Sequence, residues 1–355
     1  MSDSRIDQPS DIRKGEALDE QKLLAYLKVH LPSISDALEI KQFPSGFSNL
    51  TYLIKSGKQE FVLRKPPIGA NIKSAHDMSR EYKVLSLLKP VYDKIPNTFL
   101  YCDTDDVLGA PFYLMERVKG LILRGNIPSD FSGKIMHGIS ENAISNLADL
   151  HTIDIHKSGL IDMGKPAGYI KRQVDGWSRR YFNAETDEIQ NMNETVEWMK
   201  SNMPEKETTA FIHNDYKYDN LVLDPDTKEI KAVLDWEMAT VGDPLMDLGT
   251  TLGYWAEADD NPALKPFSLT WHEGNLTRQE VATHYANQTK KDLNDIVFYY
   301  VFGCFKIGVI VQQIYARYKK GITQDPRFAN LIYVVKACGI NASNAIKYQR
   351  VNNFY

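Results

Sequence analysis

Apolar positions along the chain follow two rhythms, and the change between them divides it. Leu23, Leu24, Leu27 and Leu31 recur at helical spacing, which predicts an amphipathic helix over residues 18–31. From residue 38 the rhythm becomes strand-like, and residues 38–43, 51–55 and 60–64, punctuated by Pro44-Ser-Gly46 and Ser56-Gly57, predict three antiparallel strands. Helical periodicity returns over 74–88 and stops at Pro90, and two more strands are expected near 99–103 and 112–117. Beyond Gly120 helical patterns dominate, over 132–151, 171–182, 191–202, 244–256 and 277–288. The apolar run 296–311 is interrupted by Lys306 and too short to cross a bilayer, so it reads as a buried helix. The expected fold class is α+β and bilobal. Residues 1–16 are expected as a disordered tail, 17–118 as a small antiparallel β lobe with a leading helix and one main helix, and 119–355 as a larger, mostly helical lobe.

Two short apolar runs, Leu221-Val-Leu223 and Ile230-Lys-Ala-Val-Leu234, flank Asp224-Pro-Asp-Thr-Lys-Glu229, the composition of a β-hairpin. In a hairpin centred near Thr227, Asn220 at the entry lies opposite Asp235 at the exit. An amide and a carboxylate converging in this way suit Mg2+, which prefers hard oxygen ligands and is held by one or two protein groups beside substrate phosphates. Asp215, in the loop just upstream, is placed to accept the proton of an alcohol attacking a γ-phosphate. Alone, the His213-to-Asn220 spacing would recur by chance. Followed by Leu234-Asp235-Trp236-Glu237 and by Gly242-Asp243-Pro244-Leu-Met-Asp247-Leu248, it points to phosphoryl transfer from ATP with Mg2+. Lys217 reads either as a cation for the γ-phosphate or as a solvated loop lysine. His213 reads as a brace for the loop, because Asp215 already fills the role of base. Asp243 ahead of Pro244 reads as a helix N-cap, and Glu237 as a surface carboxylate.

With Phe61-Val-Leu-Arg-Lys-Pro-Pro67, Arg80-Glu81-Tyr82, Leu150-His151 and Ile314-Tyr-Ala-Arg-Tyr318, these motifs resemble the aminoglycoside phosphotransferase-like family of the protein-kinase-like fold. The resemblance is strongest to the phosphotransferase domains related to those fused to acyl-CoA dehydrogenases. It implies that the lobe 17–118 binds the nucleotide and the lobe 119–355 carries catalysis and the acceptor. Arg64, where most members carry Lys, is then implied to grip the α- and β-phosphates, with Glu81 holding it in place. Lys65, the alternative, falls on the opposite strand face. By the same resemblance, backbone groups near Glu116 and Val118 meet the adenine, and Asp247 anchors the catalytic-loop backbone. The turn 44–49 lacks GxGxxG. A plain hairpin turn explains it as well as a phosphate loop, and position in the family pattern is what singles out Gly46, Ser48 and Asn49. The absence of GxxxxGK[ST] argues against a P-loop enzyme.

Composition narrows the partners. At 355 residues and 43% hydrophobic the chain can bury substantial cores, and a net charge of −4 leaves no basic footprint for nucleic acid. Cys102, Cys304 and Cys338 have neither disulfide nor zinc spacing, and the polar start lacks a signal sequence, so a cytoplasmic setting without membrane insertion is expected. Asp247 follows Asp235 by twelve positions, too few for the activation segment on which protein kinases dock peptides. The acceptor is therefore expected to be a small molecule, with Tyr169, Arg172, Trp177, Arg180, Trp255 and Trp271 as lining candidates. Similarity to the dehydrogenase-fused domains suggests a hydroxyacyl thioester or related hydroxy acid, met by Arg172 or Arg317. The alternative from another class is a nucleotide-binding pseudokinase or scaffold without transfer activity.

Overall fold

A five-stranded antiparallel sheet forms from β1 (Glu39–Gln42), β2 (Leu50–Ser56), β3 (Gln59–Lys65), β4 (Thr98–Cys102) and β5 (Phe112–Glu116), in the order β1-β2-β3-β5-β4. The computed structural model describes residues 8–44, 49–67, 77–323 and 325–354. Its fold is mixed α+β, as the pattern implies, and two compact units make it up: residues 1–122 with Leu221–Met238, and residues 123–220 with 239–355.

In the first unit, strand alternation sorts side chains by face. Tyr52, Ile54, Phe61 and Leu63 join Leu23 and Leu27 of α1 (Glu20–His30) in one apolar core. Thr51, Arg64 and Tyr113 stand in cross-strand register, and Glu81 is buried on α2 (Met78–Leu88). Asp19 and Asp77 cap the two helices by accepting from the backbone N–H groups of Lys22 and Arg80. The expected disordered tail needs correction over its described part. Ser10 exchanges backbone hydrogen bonds with Gln42 at 2.8 and 3.0 Å, and the Glu16 carbonyl accepts from the Tyr52 hydroxyl at 2.7 Å.

The hairpin β7 (Leu221–Leu223) and β8 (Ile230–Val233) also belongs to this unit. Leu121 bridges to Leu223, the Val233 N–H donates to the Lys94 carbonyl at 2.8 Å, and Trp236 packs on Tyr92. A side chain on Gly120 would run into the Leu223 carbonyl, so only glycine lets the chain pass there. The register departs from the expected one. Leu221 pairs with Val233 and Val222 with Ala232, which is one residue out of step with an Asn220–Asp235 pair, and a further shift follows before Leu223. Asp235 lies beyond the ladder with φ 66°, a left-handed conformation that aspartate tolerates better than most residues.

The second unit is mostly helical: α3 (Gly133–His151), α4 (Tyr169–Ala184), α5 (Gln190–Ser201), α6 (Pro244–Tyr254), α7 (Arg278–Thr289), α8 (Ile296–Lys319) and α9 (Leu331–Tyr348). A short ladder pairs β6 (Ala210–Ile212) with β9 (Thr240–Gly242). Asp243 caps α6 by accepting from the Leu245 N–H at 2.8 Å, with Pro244 opening the helix. Helix α8 runs eight residues past the expected end at 311, because Gln312 is buried and donates to the Ala184 carbonyl at 2.8 Å. It packs against α4, α5, α6 and α9, and most of its apolar length is buried inside the protein.

Candidate active site

In the second unit the chain leaves β6 at Ile212 and turns through His213, Asn214 and Asp215. Asn214 has φ 68°, tolerable for asparagine, and the turn is held from several sides. The Asp247 carboxylate, fully buried on α6, accepts from the His213 N–H at 2.6 Å and from the Asn214 N–H at 2.8 Å. His151 Nε2 sits 3.1 Å from the same carboxylate, and its Nδ1 lies 2.7 Å from the Tyr285 hydroxyl. Burial pushes the Asp247 carboxyl up, but the hydrogen bond and charge of His151, with the charges of His213 and Lys306, hold it below the usual carboxylate range. His213 is buried, and its Nδ1 accepts from the Asp215 N–H at 3.2 Å.

The Asp215 carboxylate receives Lys217 Nζ at 2.8 Å and Asn220 Nδ2 at 3.0 Å. Asn220 Nδ2 also donates to the Asp215 carbonyl at 2.8 Å, which leaves Oδ1 as the amide atom facing away from the loop. Burial raises the Asp215 carboxyl, but the charge and hydrogen bond of Lys217, then the charges of His213 and Lys306, outweigh it, so the group lies below the usual range. Lys217 Nζ also stands 4.7 Å from the Tyr254 ring.

In the first unit, Arg64 is buried and forks between acids. Its Nη1 donates to Glu81 Oε1 at 2.5 Å and its Nη2 to Asp235 Oδ1 at 3.2 Å, with Glu237 Oε2 at 3.8 Å. Burial disfavours the charged guanidinium, yet these acids raise its pKa well above the ordinary arginine value. Arg64 Nε is buried with no acceptor among the described residues. Lys65 sits on the other face, its amine donating to the Leu108 carbonyl at 2.7 Å. Asn49 is buried and donates to Glu237 Oε2 at 2.8 Å, so Glu237 is tied into this cluster and is not the surface carboxylate expected. Glu116 is engaged with Asn97 through its backbone N–H and through its side chain, and Val118 follows two residues on, half-buried. Gly46 and Ser48 lie outside the described residues.

Of the acceptor-lining candidates, Tyr169 hydrogen-bonds the Asn214 side chain, and Trp177 is buried beneath the Arg180 guanidinium at 4.7 Å. Arg172 donates to the carbonyls of Ala167 and Lys165. Trp255 is a core residue bonded to the Leu276 carbonyl, and Trp271 stacks on His272. Sequence reasoning passes over two residues of the loop's surroundings, Tyr254 and Lys306. The signal for the second is a lone lysine inside an apolar run.

Comparison with known proteins bears on what these clusters do. The model of the phosphotransferase enzyme family (APH) matches residues 39–282. Acyl-CoA dehydrogenase family member 11 of Gallus gallus is 31% identical across 97% of this chain, which spans only 46% of that protein's length. A solved structure from Ralstonia eutropha, provisionally named an aminoglycoside phosphotransferase, is 26% identical with a TM-score of 0.77, covering 92% of this chain and 99% of that one. Choline kinase from Cryptosporidium parvum, 13% identical with a TM-score of 0.66 over 94% of this chain and 98% of its own, is a likeness of fold alone. The fold is protein-kinase-like.

Proposed function

The chain belongs to the phosphotransferase enzyme family; from that premise we propose that it is a phosphotransferase with an alcohol group as acceptor, moving the γ-phosphate of ATP, with Mg2+, to a small-molecule hydroxyl. The observation that carries this reading is the Asp215 carboxylate, ionised at neutral pH and aimed by Asn220 and Lys217. In the proposed reaction Asp215 accepts the proton of the attacking hydroxyl, and Lys217 balances charge on the transferred group. His213 braces the loop from within through the Asp215 N–H.

Arg64 fits a phosphate because its Nε is a buried donor lacking an acceptor among the described residues, while Glu81 holds the rest of the fork. Asn49 is proposed to support the same nucleotide, with backbone groups at Glu116 and Val118 on the adenine. Asn220, whose Oδ1 is left over from the loop, and Asp235, whose side chain is 36% exposed, are the proposed Mg2+ ligands, a hard-oxygen set that suits this ion. Bound there, Mg2+ would neutralise charge on the phosphates.

For the acceptor we propose a hydroxyacyl thioester, supported by the likeness to an acyl-CoA dehydrogenase family member. Arg172 is occupied by backbone carbonyls, so Arg180, solvent-facing on Trp177, is the better partner for an anionic group. Phosphotransfer assays across hydroxyacyl-CoAs, choline, sugars and aminoglycosides test the class, and turnover of aminoglycosides alone would discard the thioester. For the mechanism, Asp215→Asn is expected to lower kcat about a hundredfold or more while ATP affinity stays within about twofold. Mg-ATP binding by the unaltered chain without transfer to any acceptor would favour a pseudokinase.

A further inference from the structure

We propose that Lys306, in the middle of α8, is a positioning residue for the phosphotransfer loop: its ammonium holds the Asn214 peptide and so aims the Asp215 carboxylate. The inference rests on the phosphotransfer reading and goes beyond it. Lys306 is 1% exposed in a long, largely buried apolar helix, where a cation is costly to bury and a methionine would fill the same space. Its Nζ donates to the Asn214 carbonyl at 2.7 Å, with the Thr250 hydroxyl at 3.4 Å and Asn214 Oδ1 at 3.5 Å. These acceptors are neutral, and no carboxylate lies within ion-pair distance of it among the described residues. A packing role does not call for this charge.

What the charge does is visible in the turn it meets. Asn214 is left-handed, so the orientation of its peptide depends on its partners. Asp247 takes the N–H groups of His213 and Asn214, and Lys306 takes the Asn214 carbonyl, so the turn is pinned from α6 and α8 together. The next residue is Asp215, and a rotation of the 214–215 peptide would carry its carboxylate away from Lys217 and Asn220. Facing Lys306 are Asp247 from α6, Asp215 and Lys217 from the loop, and Arg180 from α4, while the Trp177 ring lies 5.7 Å away. Burial lowers the lysine to about 8, so it remains mostly charged at neutral pH and helps keep Asp215 ionised.

The test is Lys306→Met, which keeps the stem and removes the ammonium, beside Lys306→Gln, which keeps a neutral donor if the apolar variant does not fold. Phosphate release from Mg-ATP with water as acceptor gives turnover without waiting on the natural acceptor, and titration calorimetry gives ATP affinity. Turnover is expected to fall about 10- to 100-fold in Met and less in Gln, with ATP affinity within about twofold. Hydrogen exchange should rise in the peptide spanning His213 to Tyr216 and stay unchanged along the rest of α8. A folded variant with wild-type turnover and wild-type loop exchange would overturn the proposal. Asp215→Asn separates the two ideas: if it turns over like the unaltered chain the phosphotransfer reading falls, whereas an inactive Asp215→Asn beside a wild-type-like Lys306→Met removes only the lysine's role.

Discussion

Arg64 has more acid around it than one guanidinium needs, with Glu81, Asp235 and Glu237 all within 3.8 Å, and its Nε still lacks an acceptor among the described residues. If that donor serves a phosphate, Arg64→Lys keeps the charge but loses the fork, and ATP affinity should fall about tenfold by titration calorimetry. In a double-mutant cycle, Arg64→Ala and Glu81→Ala should show a coupling of about 1–3 kcal/mol on ATP binding, and simple additivity would remove the proposed pairing. Both residues are legible only through the family resemblance, to which strand alternation adds the separation of Arg64 from Lys65; Glu81 by itself reads as a helix-surface acid, and the structure buries it on α2. The Asp215–Asn220 contact is legible locally, being five positions apart. Glu237 and Lys306 are not. Their partners lie 188 and 92 positions away, beyond any periodic rule: the apolar run around Lys306 signals its burial but not what it meets, and nothing in the pattern marks Glu237 as buried.

Between elements, the closest approach is where α6 crosses α8. A Cβ on Gly303 would run into the Gly249 carbonyl, one on Gly249 into the Tyr299 carbonyl, and one on Gly253 would lie 2.8 Å from the Gly303 carbonyl carbon. Because backbone atoms are what a new methyl would meet, repacking of side chains cannot relieve it. Gly303→Ala should therefore cost on the order of 3 kcal/mol, read as a lower urea midpoint. Gly138, inside α3 with nothing within 4 Å of a Cβ, supplies the contrast, and Gly138→Ala should gain about 0.5–1 kcal/mol. Equal midpoints for the Gly303 variant and the unaltered chain would mean that the helices do not touch as described. Periodicity finds the sheet and six of the helices of the second unit, since each buries one continuous stripe or run. It overlooks α9, where Gly339 and two asparagines, the buried Asn341 and the half-buried Asn344, interrupt the apolar stripe. The hairpin register is out by two at Leu223–Ile230 and by one at the open end, and the ladder shift between those pairs leaves no mark in composition.

Across the whole chain the buried tyrosines decide how it meets alkali. Burial is the main cause that pushes Tyr52 up to about 12, and Tyr113, Tyr169, Tyr216, Tyr254 and Tyr285 are raised for the same reason, so both units carry such groups. In the unfolded chain these phenols release protons near 10, while folded they keep them. The folded state then binds more protons above about pH 10, and stability must fall as pH rises from there, by about 1.4 kcal/mol per unit for each such tyrosine. Lys306 acts with the opposite sign. Folded it titrates at about 8 against an ordinary 10.5, so between those values the unfolded chain binds more protons and stability should rise with pH. The expected curve of urea midpoint against pH is a gain from 8 towards 10, reduced in Lys306→Met, followed by a steep loss. The share of phenolate absorbance near 295 nm that comes from the buried rings should appear together with loss of helical circular dichroism. Ionisation of all the tyrosines with the helical signal intact would show that the buried rings are open to solvent, and the packing that holds them would have to be redrawn.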